Sequence, residues 1–377
     1  MSQTATAARE PLLRIAKREG TTMPQKIAVR AIAILLALVV DALFIFFVTG
    51  LNPLSVYGVM WSGTFANMTR FSWMLRDLST LLCVGIALAP AFKMRFWNCG
   101  GEGQILIGGL TAALIMVYQG NNLPLPLLFA AMALGSIAAG ALWGFIPAWF
   151  KSRWNTNETL FTLMMNYVAT SIVACMTNIM RGQASSLGTL NKATKAGWFP
   201  VIMGQRYTIN IIVVIVLTFV MYAYLRFSKQ GYEISVVGES ENTARYAGIN
   251  EKRNIILSMM ISGALAGVGA GLYYLSTVAE WNPQVSTALP AMGFNGISTA
   301  LLACSNPIGT IFSSLFISYI TVGGTKLSTQ YYSKEIADVI TALIIYLCAF
   351  SLLFKNKIRA LLEGKAKRVS VGKGGDD

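Results

Sequence analysis

The chain contains no histidine, and only 16 of its 377 residues are Asp or Glu. The first absence excludes histidine metal sites, Ser-His-Asp triads and Cys-His dyads, and no Cys-x-x-Cys or paired-carboxylate spacing stands in for them. Five cysteines (Cys83, Cys99, Cys175, Cys304, Cys348) all fall within or beside apolar segments without paired spacing, so each is expected to pack as a small hydrophobe rather than to form a disulfide. A phosphate-cradling Gly-x4-Gly-Lys-Ser/Thr loop is also missing, since Gly323-Gly324-Thr325-Lys326 lacks its spacing. Nothing here is enzyme-like, and no cofactor is expected. Charge itself is scarce: 12% of residues are charged, against about 25% in an average soluble domain.

What fills the chain instead is apolar. Hydrophobic residues make up 55% of it, and the mean hydropathy is +0.57. A membrane span needs roughly 20 apolar residues. Clear candidates are Ala28 to Gly50, Met74 to Phe92, Leu127 to Phe150, Leu160 to Met180, Thr208 to Leu225, Ile255 to Leu275, Pro307 to Gly323 and Ile336 to Phe354. Two shorter pieces, Ile105 to Tyr118 and Ala288 to Ala303, read as broken or half-buried spans. The expected fold is all-α and polytopic, with about ten membrane segments in two five-helix-like halves.

The positive charges orient it. With the N-terminus inside, 21 of the 30 Lys and Arg fall on cytoplasmic stretches and Arg30 lies at the cytoplasmic end of the first span, so the positive-inside rule places both termini in the cytoplasm. Residues 1–26 are then a basic cytoplasmic segment, residues 27–354 the membrane domain and residues 355–377 a basic cytoplasmic tail. The first span is too long for a cleavable signal. The net charge of +14 reflects topology and attraction to anionic lipid rather than nucleic-acid binding.

Two glycine-rich interruptions stand out. Arg95 to Gln104 is a polar run carrying a carboxylate between two apolar segments, and Met292-Gly293-Phe294-Asn295-Gly296 repeats its aromatic-Asn-Gly core. Non-helical backbone at membrane depth is tolerated only where protein or water satisfies it, so both read as broken helices of a transporter. Gly101 is expected at a close backbone approach or a positive φ. Glu102 must be solvated, paired or protonated, because a carboxylate at the bilayer centre costs about 2.5 to 3.5 kcal/mol. Its candidate partners are Lys93 and Arg95, or the N–H groups freed by Gly100, Gly101 and Gly103; a proton relay is the other role open to it. Two hydrophilic stretches complete the pattern. Residues 181–207 form an outside loop, and residues 226–254 form a cytoplasmic loop holding a short helix, Glu241 to Ala247, ended by Gly248.

Four runs, FWNCGGEGQ at Phe96 to Gln104, NETLFTLMMNYVA at Asn157 to Ala169, GYEISVVGESENTARYAGIN at Gly231 to Asn250 and GFNGISTALLACSNPIG at Gly293 to Gly309, occur in this order. Together they resemble the permease subunits of bacterial ATP-binding-cassette importers, in the branch for nucleosides and simple sugars within the group that also serves ribose and branched-chain amino acids. The resemblance implies a second permease subunit, cytoplasmic ATPase subunits and an extracytoplasmic binding protein as partners. It also implies that Glu241 to Gly248 is the coupling helix, with Ala244, Ala247 and Gly248 giving close approach to an ATPase groove. A nucleoside offers a π-face and a hydrogen-bonding edge. Trp97, Asn98, Phe294 and Asn295 could read these, joined by Asn166 and, in the first polar run, Glu102 and Gln104. Packing is the alternative role for each aromatic. A sugar importer of the same class, and an ion-coupled transporter using Asp41, Asp77 or Glu102, are the competing functions.

Overall fold

The computed structural model describes residues 23–120, 122–181, 190–191, 208–276, 280–281, 292–330, 339, 342–343 and 346. It divides into two compact units, Met1–Leu36 with Ser351–Asp377, and Ala37–Phe350. Every contact below lies within the second. The described residues hold α1 (Met23–Thr49), α2 (Pro53–Phe65), α3 (Met68–Lys93), α4 (Gly101–Gln119), α5 (Leu125–Trp154), α6 (Glu158–Arg181), α7 (Thr208–Phe227), α8 (Lys229–Glu239), α9 (Glu241–Tyr246), α10 (Glu251–Ser276), α11 (Met292–Leu302) and α12 (Pro307–Gln330). A two-residue antiparallel pairing joins Leu190–Asn191 to Glu280–Trp281.

Among the described residues six helices are long and apolar enough to cross a membrane: α3, α5, α6, α7, α10 and α12. Leu38–Val48 and α2 meet at 112° and together form either a seventh, broken span or a re-entrant loop. The bend has local causes. Gly50 lies at φ +70°, Asn52 Oδ1 accepts the Leu54 N–H at 3.0 Å, and Pro53 fits the first helical turn, where its missing N–H costs nothing. The described residues thus give six or seven helices of spanning length within an all-helical membrane fold, and the expected count of about ten also includes Ile336 to Phe354 and two shorter pieces that fall below that length. Ile336 to Phe354 lies almost wholly outside the described residues, as do residues 1–22, most of residues 181–207 and residues 355–377.

Lipid tails are as apolar as leucine, so helix association in a membrane rests on close packing and polar contacts. The seam between α5 and α10 is built that way. A Cβ on Gly140 would strike the Gly263 carbonyl, one on Gly144 the Met259 carbonyl, and one on Gly267 the Ser136 carbonyl. The α4 helix joins through Gly108 against Gly267, and Ser136 Oγ donates to the Gly108 carbonyl at 3.1 Å. The most enclosed of the six spans is α3, which packs on α10, α11, α12 and α7. At its end the first polar run begins.

Candidate functional site

The α3 helix stops through a Schellman arrangement. Arg95 takes the left-handed conformation at φ 60°, its N–H donates to the Phe92 carbonyl at 3.0 Å, and the Phe96 N–H reaches Ala91 at 2.9 Å. Phe96 is buried beside Ala91, which supplies the hydrophobic contact that accompanies this stop. Helix resumes at Gly101 with Gly100 as its cap. The break expected around Trp97 to Gly100 is therefore present, and residues 94–100 are non-helical.

Side chains from distant elements satisfy the freed backbone. Asn98 Oδ1 accepts the Gly100 N–H at 2.9 Å, while its Nδ2 donates to Ser262 Oγ on α10 at 2.8 Å. From α6, Thr162 Oγ1 accepts the Cys99 N–H at 3.2 Å. One turn on, Asn166 Nδ2 donates to the Cys99 carbonyl and Asn166 Oδ1 accepts the Gly103 N–H, both at 2.9 Å. Gln104 lies beside Ser262, whose hydroxyl is 3.5 Å from Gln104 Oε1. Asn98, Glu102, Gln104 and Asn166 are all buried. Each buried backbone group left without a partner would cost about 1 to 3 kcal/mol, so these amides hold the junction shut.

Glu102 has a different partner from those expected. Its Oε2 accepts the N–H of Gly293 at 2.5 Å, on the first turn of α11, 191 positions away. The carboxylate thus stands at the N-terminal ends of α4 and α11, where both helix dipoles favour negative charge. Gly293 permits this approach, because a Cβ there would collide with the backbone of Glu102. Lys93 turns away and donates to the Leu225 carbonyl at 3.2 Å. Gly101 is not the tight glycine: a Cβ there meets nothing nearer than 3.8 Å, whereas one on Gly103 would lie 2.8 Å from Trp143 Nε1. Trp143 Nε1 is itself buried without a hydrogen-bond partner.

The second glycine run is helical. Met292 to Gly296 forms the start of α11, so its glycines serve close approach to Glu102 and to Val84 rather than a break. The break comes later, at Ala303 to Asn306. Phe294 and Asn295 are half-buried on α11. Trp97 is 49% exposed with its ring 5.6 Å from that of Phe92. Of the residues expected along a path, Asn98, Glu102, Gln104 and Asn166 are thus committed to protein bonds, and Trp97, Phe294 and Asn295 retain accessible surface. Thr162 and Ser262 were missed by sequence reasoning. Thr162 could have been found, since it stands one helical turn before Asn166 on the same face.

The other two carboxylates considered are engaged as well. Asp41 Oδ2 lies 3.0 Å from the Tyr57 hydroxyl, and Asp77 pairs with Arg76 at 3.0 Å. The four described cysteines are all free of disulfides, with Cys83 buried, Cys99 half-buried and Cys175 and Cys304 exposed.

The polar stretch 226–254 holds two helices where one was expected, α8 and α9. Ser240 caps α9, its Oγ accepting the Thr243 N–H at 3.3 Å. The expected stop at Gly248 is present, with φ +71° and Ile249 N–H to Ala244 carbonyl at 2.9 Å. Ala244, expected in the ATPase contact, faces inward. It is 0% exposed and packs with Ala91, Met94, Phe96, Ile234, Val237, Ile255 and Met259, inside this chain rather than on an outward face. Glu241, Ala247 and Gly248 point outward with Tyr246, which is 94% exposed. The inner face of α9 therefore rests on the same cluster that holds the end of α3.

The sequence profile of the branched-chain amino acid transport system / permease component family matches residues 70–349. Over 85% of its length the chain is 30% identical to the guanosine ABC transporter permease protein NupP of Bacillus subtilis, covering 92% of that protein. It is 27% identical to the nucleoside ABC transporter permease protein NupB of Lactococcus lactis, over 93% of this chain and 98% of that one. The glucose ABC transporter permease protein TsgB13 of Haloferax volcanii is 25% identical over 81% and 82% respectively.

Proposed function

We propose, for a chain that belongs to the branched-chain amino acid transport system / permease component family, that it is the membrane-spanning subunit of an ATP-driven importer that translocates nucleosides. Relatives named for guanosine and nucleosides support the substrate class. The chain works with a second permease subunit, cytoplasmic ATPase subunits and an extracytoplasmic binding protein, in the cytoplasmic membrane with both termini inside.

The observation that carries the mechanism is the two-faced α9 helix. Its outward residues Glu241, Tyr246, Ala247 and Gly248 seat in the ATPase, while Ala244 rests in the cluster formed by Met94 and Phe96 at the helix break. Movement of the docked ATPase then reaches the break through packed side chains. The α8 helix adds a second contact, since Gly238 lies so close that a Cβ would strike the Lys93 carbonyl. An ion pair between Arg245 and Glu251 at 3.1 Å ties α9 to α10, although an exposed pair is worth only about 0 to 1 kcal/mol. Trp97, Phe294 and Asn295 line the path and meet the base, where stacking is worth about 1 to 3 kcal/mol.

Two experiments test this. Proteoliposomes holding the complete transporter should take up radiolabelled guanosine in preference to ribose or glucose, and uptake of glucose alone would replace the substrate reading with that of a sugar importer. In detergent pull-downs, Tyr246→Ala should lose ATPase while leaving the chain folded, and Ala244→Arg should unfold it. Undiminished ATPase recovery with Tyr246→Ala would move the docking site elsewhere.

A further inference from the structure

A cleft of about 510 Å³ lies between the ends of α3 and α7, the α8 helix and the turn joining α11 to α12. Lys93 and Arg226 line it, with Tyr232, Ser235 and Asn306, and no carboxylate does among the described residues. Nothing in the transport mechanism uses it.

Its polar groups have one sense. Lys93 gives one N–H to the Leu225 carbonyl and keeps two. Arg226 is exposed, its guanidinium carbon 5.9 Å from the rings of Tyr222 and Phe227, so it forms no ion pair among the described residues. Asn306 Oδ1 caps α12 by accepting the Ile308 N–H at 3.1 Å, which leaves its amide N–H groups as donors. The cleft also faces the N-terminal end of α12, the positive end of a 24-residue helix dipole. Glu233, the nearest acid on α8, is held by Asn254 at 2.9 Å and lies 3.9 Å from Lys229. Two cations, spare amide donors and a helix N-terminus, with no competing carboxylate among the described lining residues, select an anion, and the volume suits a ligand rather than one ion. Basic pockets between membrane helices recognise phosphate head groups.

We propose that this cleft binds a phosphate-bearing anion, held by Lys93, Arg226 and Asn306. The phosphate can come from an anionic phospholipid or from free phosphate, and the test separates these. The complete transporter is purified in detergent and given dioleoylphosphatidylglycerol, inorganic phosphate, or neutral dioleoylglycerol, and bound species are counted by native mass spectrometry. The expected result is retention of phosphatidylglycerol but not dioleoylglycerol, weakened at least tenfold by Lys93→Gln with Arg226→Gln and unchanged by Arg153→Gln. Binding of inorganic phosphate, or displacement of the lipid by it, with the same sensitivity to the double variant, assigns the site to free phosphate. Should the double variant fail to fold, Asn306→Asp serves: it keeps the capping oxygen yet puts a negative charge in the cleft, and should give the same loss. Equal retention of every probe by wild type and Asn306→Asp, or by wild type and the double variant, would overturn the site.

Discussion

Two helix stops in this molecule share one local device and end in opposite surroundings. Arg95 and Cys304 both stand in the left-handed region, at φ 60° and 52°. Each is followed by a residue whose N–H returns to the third carbonyl from the helix end, Phe96 to Ala91 and Ser305 to Ala300, both at 2.9 Å. Neither is glycine, so each residue carries roughly 1 to 2 kcal/mol of conformational strain, and the second stop carries it twice, because Ser305 is also left-handed at φ 56°. Beyond Arg95, side chains from α6 and α10 close over the backbone and α8 and α9 pack on it. Beyond Ser305 the chain satisfies itself: Asn306 takes the Ile308 N–H on its side chain and the Thr310 N–H on its carbonyl at 3.0 Å, beside an open cleft. The stop is local chemistry. Whether the junction is locked depends on side chains far away in sequence.

The comparison breaks most severely at Asn166. Asn166→Ala leaves the Cys99 carbonyl and the Gly103 N–H buried without partners, a loss of about 2 to 6 kcal/mol at the usual cost per orphaned group. Thermal unfolding of the detergent-purified chain should show this as the largest drop in midpoint of any variant here. Next comes Gly293→Ala, which forces a methyl group against Glu102 and should cost about 1 to 3 kcal/mol. Gly101→Ala is its control, with room for the methyl, and should leave the midpoint within a degree or two of wild type. Equal losses for both would mean that the approach of α11 to Glu102 is not a constraint.

Asn306→Ala removes only a local cap, worth about 0.5 to 2 kcal/mol. Its midpoint should fall by less than half the shift of Asn166→Ala; matching shifts would erase the distinction between locked and self-sufficient junctions. The smallest effect is expected of Cys304→Gly. Relief of left-handed strain should stabilise by about 1 kcal/mol, less the greater freedom of glycine in the unfolded chain. A lower midpoint for Cys304→Gly would show that the side chain itself holds the turn.

How much of this was legible in the sequence follows the same division. The break after Lys93 announced itself as a polar run between apolar segments, and Gly248 marked the end of α9 because glycine takes φ +71° without strain. Met292 to Gly296 misled, since a glycine needed for close approach to Glu102 looks like one needed to break a helix. The α2 helix was hidden because its 13 residues fall short of a span, follow Gly50 and open on Pro53. Ala244 was misplaced because a six-residue helix is too short for periodicity to reveal its buried face. Thr162 could be reached through its spacing from Asn166, whereas Ser262 sits in an apolar run and only the fold brings it to the break.

The central claim is that the buried amides hold the fold while the half-exposed α11 residues meet the solute. Guanosine uptake per folded transporter, measured in proteoliposomes alongside the thermal midpoint, tests it in two variants. Asn295→Ala should transport several-fold more slowly at an unchanged midpoint, and Asn98→Ala should lower the midpoint while each surviving molecule transports at nearly the wild-type rate. An Asn98→Ala protein of normal stability that no longer transports, beside an Asn295→Ala protein that transports normally, would contradict the account.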